Sequence, residues 1–558
     1  MNKLYNYISS LAVVLLTLTA CYEDKGNYDY KDVNKVQVEM PETVVRLSRT
    51  GSVDFTVEPK LTQSMIQNEN ALEFRWFKGG KEAYLICENK EEDCDELMSD
   101  NHYHYYSSEK VFRMTLDASF SDFIRLLLEV TDKTTNTKYY QMHPVRVIKP
   151  FSNTWFVLQN ENGIGKLGVA DGVQKDALVS DDVYKSEFAS SFPMQGVPQG
   201  IESRHFYGLE YYMSVPNMIP VEPMLIIRTD KDFSLVRPTT LETKYSIADM
   251  IMGGKVDGAT NWNPKLYICS HYGEVVYDQG KLWHSLMDGF AVYYRILDTD
   301  GKQVDAPWVA DLGMSFLIFD EKNRCFKKYS YNTMDNFYLT YYLTGLLRKM
   351  PAAWEGYAGG GAKTAYPLES ENELFNPNQV GEEYKMCAMI SSGSRVYAVA
   401  STGGSAMTVF EISEVDGDPC TGLFQFSLPE TTADQCKFIT AHAYDRIFFF
   451  AAGNALYKVD LNRPIPAVSK IYEHDNAEAK IDALKFKERT VPYDWDTENI
   501  MNKYQMQLGL GVNFPDGTAS VVELNLTSAG DVNRVEGSIY EYKGFKSIVD
   551  IAYNYGDE

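Results

Sequence analysis

Apolar and polar residues alternate in short runs from Val38 onward: VRLS, VDFTVEP, FRWF, VFRMTLDA, FIRLLLEVTD and YYQMHPVRVI. Side chains along a strand point to opposite faces with period two, so each run predicts a half-buried strand. Runs spaced by roughly ten residues, with polar turns between them, predict a β-sandwich over residues 38–150. Trp76, inside FRWF, stands where a sandwich carries its core tryptophan. His102 and His104 alternate on one predicted strand and share a face. Two exposed strand histidines without a third ligand are expected to be inert.

At Asn153 the pattern changes to a repeated hairpin, clearest in RIFFFAAGNALYKVDL from Arg446 to Leu461. An apolar strand, a Gly453-Asn454 turn and a second strand make the unit. Further copies start at Trp155, Met224, Leu266, Ser315, Val396 and Met506. Repeated β-units of this size read as blades that cannot bury their faces alone. The expected fold is therefore all-β: a sandwich, then a seven-bladed β-propeller over residues 151–558. One further apolar strand precedes several hairpins, as in KMCAMIS and QCKFITAHA, but the hairpin at Trp155 has none. The segment Ile548 to Tyr555 has that missing pattern and no hairpin after it. It is expected to supply the innermost strand of the first blade and close the ring, which removes exposed sheet edges.

Ahead of both patterns lies a different text. Lys3, an apolar run from Leu11 to Leu18 and small residues before Cys21 make a secretory signal over residues 1–20. The run is too short for a spanning helix, which needs roughly 20 residues. LTAC resembles the lipobox of bacterial lipoproteins, which implies a lipid on Cys21. Glu23 and Asp24 resemble a surface-export signal, so the expected location is the outer membrane, facing outward. Residues 21–37, polar and without period, read as a flexible tether.

Composition narrows the function. A net charge of −24 argues against nucleic-acid binding. The 39 tyrosines suit an all-β surface protein with exposed contact residues. Seven cysteines follow Cys21, an odd number without CxxC spacing, so no zinc site is expected. Cys87 and Cys94 flank an acidic loop and are near enough in sequence for a local disulfide. Most of the others fall inside apolar strands, as small buried hydrophobes do.

Motifs for chemistry are sparse. GYAGGGAKT, from Gly356 to Thr364, fails as a phosphate loop because Ala362 precedes Lys363. Asp298, Asp300 and Asp305 are a fragment of a calcium loop without its closing Glu, and read as a polar turn. Asp494, Asp496 and Glu498 crowd one loop, where paired carboxylates could serve a hydrolase. No HExxH or GxSxG occurs. The expectation is a non-enzyme with neither cofactor nor metal.

The insertion from Met334 to Pro377 gathers tyrosines and Trp354 around the glycine run. Its aromatics either pack down on a short helix or stand as stacking platforms on long loops. Trp262 and Trp283 form part of a second aromatic group. Trp262, Trp283, Trp354 and Tyr366 are the expected ligand contacts, since aromatic rings offer large contact area for few fixed torsions.

The order of LTAC, CYEDKGNYDY, FRWF, EVTDKTTNTKYY and SNTWFVLQNENG resembles the PKD-like surface lipoproteins of Sus-type uptake systems. The EVTD segment is similar to the late strands of PKD domains. The resemblance implies an Ig/PKD-like sandwich at residues 38–150. It also implies an accessory of a TonB-dependent SusC-like transporter and its SusD-like lipoprotein, presenting peptide or glycan ligands. A hydrolase or lyase on the propeller, or a purely structural spacer, are the alternatives.

Overall fold

The computed structural model describes residues 34–47, 51–65, 68–79, 103–117, 120, 124–204, 224–246, 265–269, 273–278, 280–286, 294–313, 315–330, 364–372, 374–415, 417–429, 431–441, 443–487 and 506–555. These residues are nearly all β, with one short helix, Val183–Phe188, among them. The chain divides into two compact units, Met1–Ile148 and Lys149–Glu558.

In the first unit a five-stranded sheet runs in the order Thr43–Arg46, Thr137–Ile148, Ile124–Asp132, Leu72–Gly79, Tyr103–Ser107. Thr43–Arg46 lies parallel to its neighbour, and the other pairings in this sheet are antiparallel. Two strand pairs complete the unit: Val36–Glu39 with Lys60–Gln63, and Ser52–Val57 with Phe112–Asp117. Trp76 is fully buried in the core, as its place in FRWF predicts. Its ring packs 5.4 Å from that of Phe112, and its indole N–H donates to the Glu109 carbonyl at 3.0 Å. The expected tether ends earlier than residue 37. Asn34 is buried and donates to Gln63 and to Asp132, and Val36–Glu39 is a strand. Alternation that starts at Val36 is too short to register against the polar stretch before it. His104 is exposed, while His102 lies outside the described residues.

The second unit contains seven four-stranded antiparallel sheets among the described residues. Their second strands are mostly buried where described. Every residue of Met224–Thr229 and of Ser315–Asp320 is buried. Such strands read as continuous apolar runs because both faces of the sheet are covered. In the first sheet Thr154–Glu161 pairs with Ile164–Asp171 on one side and with Ile548–Asn554 on the other. The hairpin turn there is Asn162-Gly163, both at positive φ, which Asn and Gly adopt most readily.

Six of the seven predicted hairpins are the second and third strands of a sheet. The copy at Leu266 is out of step. Leu266–Cys269 and Gly273–Asp278 are the first and second strands of the third sheet. The equivalent hairpin is Gly273–Asp278 with Lys281–Leu286, turning at Gly280 with φ 77°. LYIC and GEVVYD flank a polar turn as the strands of a hairpin do, so the apolar pattern does not separate the first pair of strands from the second.

Candidate functional site

The fifth sheet comprises Lys385–Ser392, Arg395–Gly403, Ala406–Ser413 and Cys420–Ser427; the sixth begins Cys436–Ile439, Ile447–Ala452, Ala455–Asp460. Glu411, on the third strand of the fifth sheet, is fully buried. A buried carboxylate requires charged or hydrogen-bonding partners. Two arginines supply them. Arg446 reaches across from the sixth sheet and donates through Nε and Nη2 to the two carboxylate oxygens, both at 2.9 Å. Arg395 donates from its own sheet at 3.3 Å. The hydrogen bonds to Glu411 raise the pKa of Arg446, so it stays charged at any ordinary pH.

Arg446 holds an unusual backbone. Its φ of 53° lies in the left-handed region, which costs an L-residue roughly 1–2 kcal/mol. Turns leading into the second strand of other sheets place Asn153, Gly313 or Gly393 at positive φ. Here an arginine takes that conformation. Its amide donates to the Tyr397 hydroxyl at 2.8 Å, and its carbonyl accepts from the Leu461 amide.

Around these guanidinium groups opens a cavity of about 390 Å³, lined also by Asn372, Thr421, Asp418, Asp445 and Asn462. Its size falls within the range of small-ligand pockets. Asp445 is largely exposed and lies 3.3 Å from Arg395 Nε. Asp418 is committed to the loop itself. Its oxygens accept from the Ser370 hydroxyl and from the amides of Glu371, Asn372 and Cys420. These bonds, the Ser370 hydroxyl foremost, hold its pKa below the ordinary carboxylate value. A carboxylate that holds no proton at neutral pH does not act as a general acid.

Neither of the expected contacts that lie within the described residues lines this pocket. Trp283 is only 3 % exposed, on the third strand of the third sheet. A ring so enclosed presents no face to a ligand, and the stacking role expected of it is corrected to a core role. Tyr366 is 54 % exposed, in the last strand of the fourth sheet. It precedes Ser370 and Asn372 on the segment that Asp418 ties to the pocket. Cys21, Trp262 and Trp354 lie outside the described residues, as do Asp494, Asp496, Glu498, Cys87, Cys94 and the glycine run. Asp298 accepts from the amides of Asp300 and Lys302, the polar turn expected of it. Cys325, Cys420 and Cys436 are buried free thiols whose pKa values are raised by burial, Cys436 to about 11.

The pocket residues were missed from sequence, although a signal was present. A single acid inside the apolar run MTVFEIS announces a buried charge, and an arginine stands at the head of two successive second strands.

A PKD-like family model matches residues 21–195. The N-terminal domain is accordingly PKD-like, and the match runs past Ile148 into the second unit. No curated protein matches the chain. Among solved structures, a quinonprotein alcohol dehydrogenase-like protein from Bacteroides thetaiotaomicron aligns at 12 % identity and TM-score 0.42, over 92 % of this chain and 97 % of that one. Apo AztD from Citrobacter koseri aligns at 9 % identity and TM-score 0.35, over 86 % and 98 %. Kluyveromyces lactis Hsv2 aligns at 10 % identity and TM-score 0.34, over 72 % and 99 %.

Proposed function

We propose that the seven sheets are the blades of a β-propeller, that Ile548–Asn554 closes it as the inner strand of the first blade, and that the protein is a non-catalytic binding module. Two features support the propeller: seven consecutive four-stranded sheets, and second strands covered on both faces. The polar pocket around Arg395 and Arg446 carries the binding reading. It joins charged and amide groups at one open cavity, and the arginine that shapes it adopts a costly backbone conformation.

The setting we propose is the outer surface of an outer membrane, with a lipid on Cys21 as anchor. There the module serves a SusC-like transporter and a SusD-like lipoprotein by presenting peptide or glycan nutrients. LTAC, followed by Glu23 and Asp24, supports this placement. Two measurements test it. External protease applied to intact cells should degrade the wild-type protein, and Cys21→Ala should abolish its membrane retention. Affinity purification from solubilised outer membranes should recover a TonB-dependent transporter. Protease protection or purification without a transporter would defeat the placement.

A further inference from the structure

Resting on the reading of this pocket as a binding site, we infer that its ligand is a neutral saccharide. The charge of the cavity is already balanced from within. Arg395 and Arg446 both contact Glu411, and Arg395 also pairs with Asp445. A carboxylate, sulfate or phosphate entering the cavity would find its cationic partners matched and would face Asp445 and Asp418 besides. An ammonium group would face two guanidiniums. Either ion would lose hydration for little Coulombic return.

A hydroxyl avoids both penalties because it donates and accepts at once. A sugar ring presents several such groups at fixed spacing. The Arg446 guanidinium can donate, and the Asn372 and Asn462 amides each keep a second N–H beyond the one given to the Cys420 and Asp445 carbonyls, while the exposed Asp445 carboxylate can accept. Arg446 spends only part of its five-donor fork on Glu411. Apolar peptide side chains would find no apolar subsite, because the residues lining this cavity are all polar or charged. Rigid fixing of the arginines on a buried carboxylate also lowers the entropy lost on binding.

The test is calorimetric titration of the detergent-solubilised full chain with maltohexaose, xylohexaose, mannohexaose, hexagalacturonate and hexaalanine. At least one neutral hexasaccharide should bind saturably, with hexagalacturonate and hexaalanine silent. Asp445→Ala and Thr421→Val should each weaken that binding about tenfold or more, with the melting transition unchanged. Asp445 is exposed and Thr421→Val is nearly isosteric, so both variants should fold. Preference for hexagalacturonate or hexaalanine would overturn the saccharide inference and leave the binding module standing. Saccharide binding indifferent to both variants would overturn it by placing the site elsewhere. A silent panel would overturn it too, while the transporter purification judges the placement separately.

Discussion

Glu523 and Glu411 hold matching places, each the sixth residue of the third strand in its sheet, and both are shielded from water. Their surroundings differ in kind. Glu523, in the seventh sheet, accepts from the Trp155 indole at 2.9 Å, pairs with Lys487 at 2.9 Å and accepts from the Tyr542 hydroxyl at 3.3 Å. Lys487 is itself buried, 4.2 Å from the centre of the Tyr553 ring. Trp155 and Tyr553 belong to the first sheet, so this dry cluster fastens the first sheet to the seventh. Glu411 is instead held by arginines that reach water, and joins the fifth sheet to the sixth beside a cavity. A buried acid with buried partners makes a clasp. The same acid with partly exposed partners leaves charged groups facing an open polar cavity.

The contrast breaks most plainly on charge removal. Glu523→Gln strands Lys487 in the interior and should cost about 3–5 kcal/mol of unfolding free energy. Glu411→Gln leaves its arginines partly hydrated and should cost about 1–2 kcal/mol. Denaturant titration of both variants reads the difference, and equal losses would erase the distinction drawn between the two seams. The next effect is steric. A β-carbon on Gly509 would lie 2.3 Å from the Trp155 ring, which is fully buried and cannot swing aside. Gly509→Ala should therefore cost about 1–3 kcal/mol by overpacking the clasp; a variant as stable as wild type would show that the ring has room to move.

Arg446→Asn sharpens the other side. Asparagine tolerates the left-handed backbone, so relief of strain offsets part of the lost ion pair, and the net stability change should stay within about 1 kcal/mol. Ligand affinity should nevertheless fall, because the pocket loses a guanidinium. A large stability loss would make Arg446 a structural clamp and remove it from the site.

The smallest effect is in pH. Burial holds the Lys487 amine below the ordinary lysine range, against the opposing pull of Glu523. The unfolded chain keeps that proton up to about pH 10.4. Between the folded value and that limit the unfolded state binds more protons, so stability rises with pH. The stability of wild type relative to Lys487→Met should therefore improve as the pH is raised toward about 10. The same comparison between wild type and Arg446→Asn should stay flat, since the pKa of Arg446 is raised and its charge persists. Parallel pH profiles for the two pairs would contradict the difference in burial.

Periodicity made the scaffold legible. Alternation marked the strands of the first unit and the burial of Trp76, and continuous apolar runs marked the second strands of the later sheets. The complementarity between Trp155 and Ile548 to Tyr555 anticipated their pairing. The shift at Leu266 shows the limit: an apolar hairpin says that two strands pair, but not which two of a four-stranded sheet they are. The candidate site is less legible, because aromatic content points to large rings and not to ion pairs. Trp283 shows why that misleads, since a large ring stabilises a core as readily as it stacks on a ligand. Arg395 and Glu411 meet across one hairpin of the fifth sheet, but Arg446 reaches them only through the packing of the neighbouring sheet. Their trace was a lone acid inside an apolar strand, which equally marks the clasp at Glu523.

The pairing of Thr154–Glu161 with Ile548–Asn554 also sets a timetable for synthesis. Asn554 donates to the Phe151 carbonyl across a separation of 403 residues. The first sheet therefore stays one strand short while the six others are made. During that interval its second strand is an open edge, a template for mispairing with any extended segment nearby. Non-local pairing of this kind is slow to form. The growing chain thus needs shelter until residues 548–554 arrive, and a stop codon that removes only this strand would be far more damaging than its length suggests.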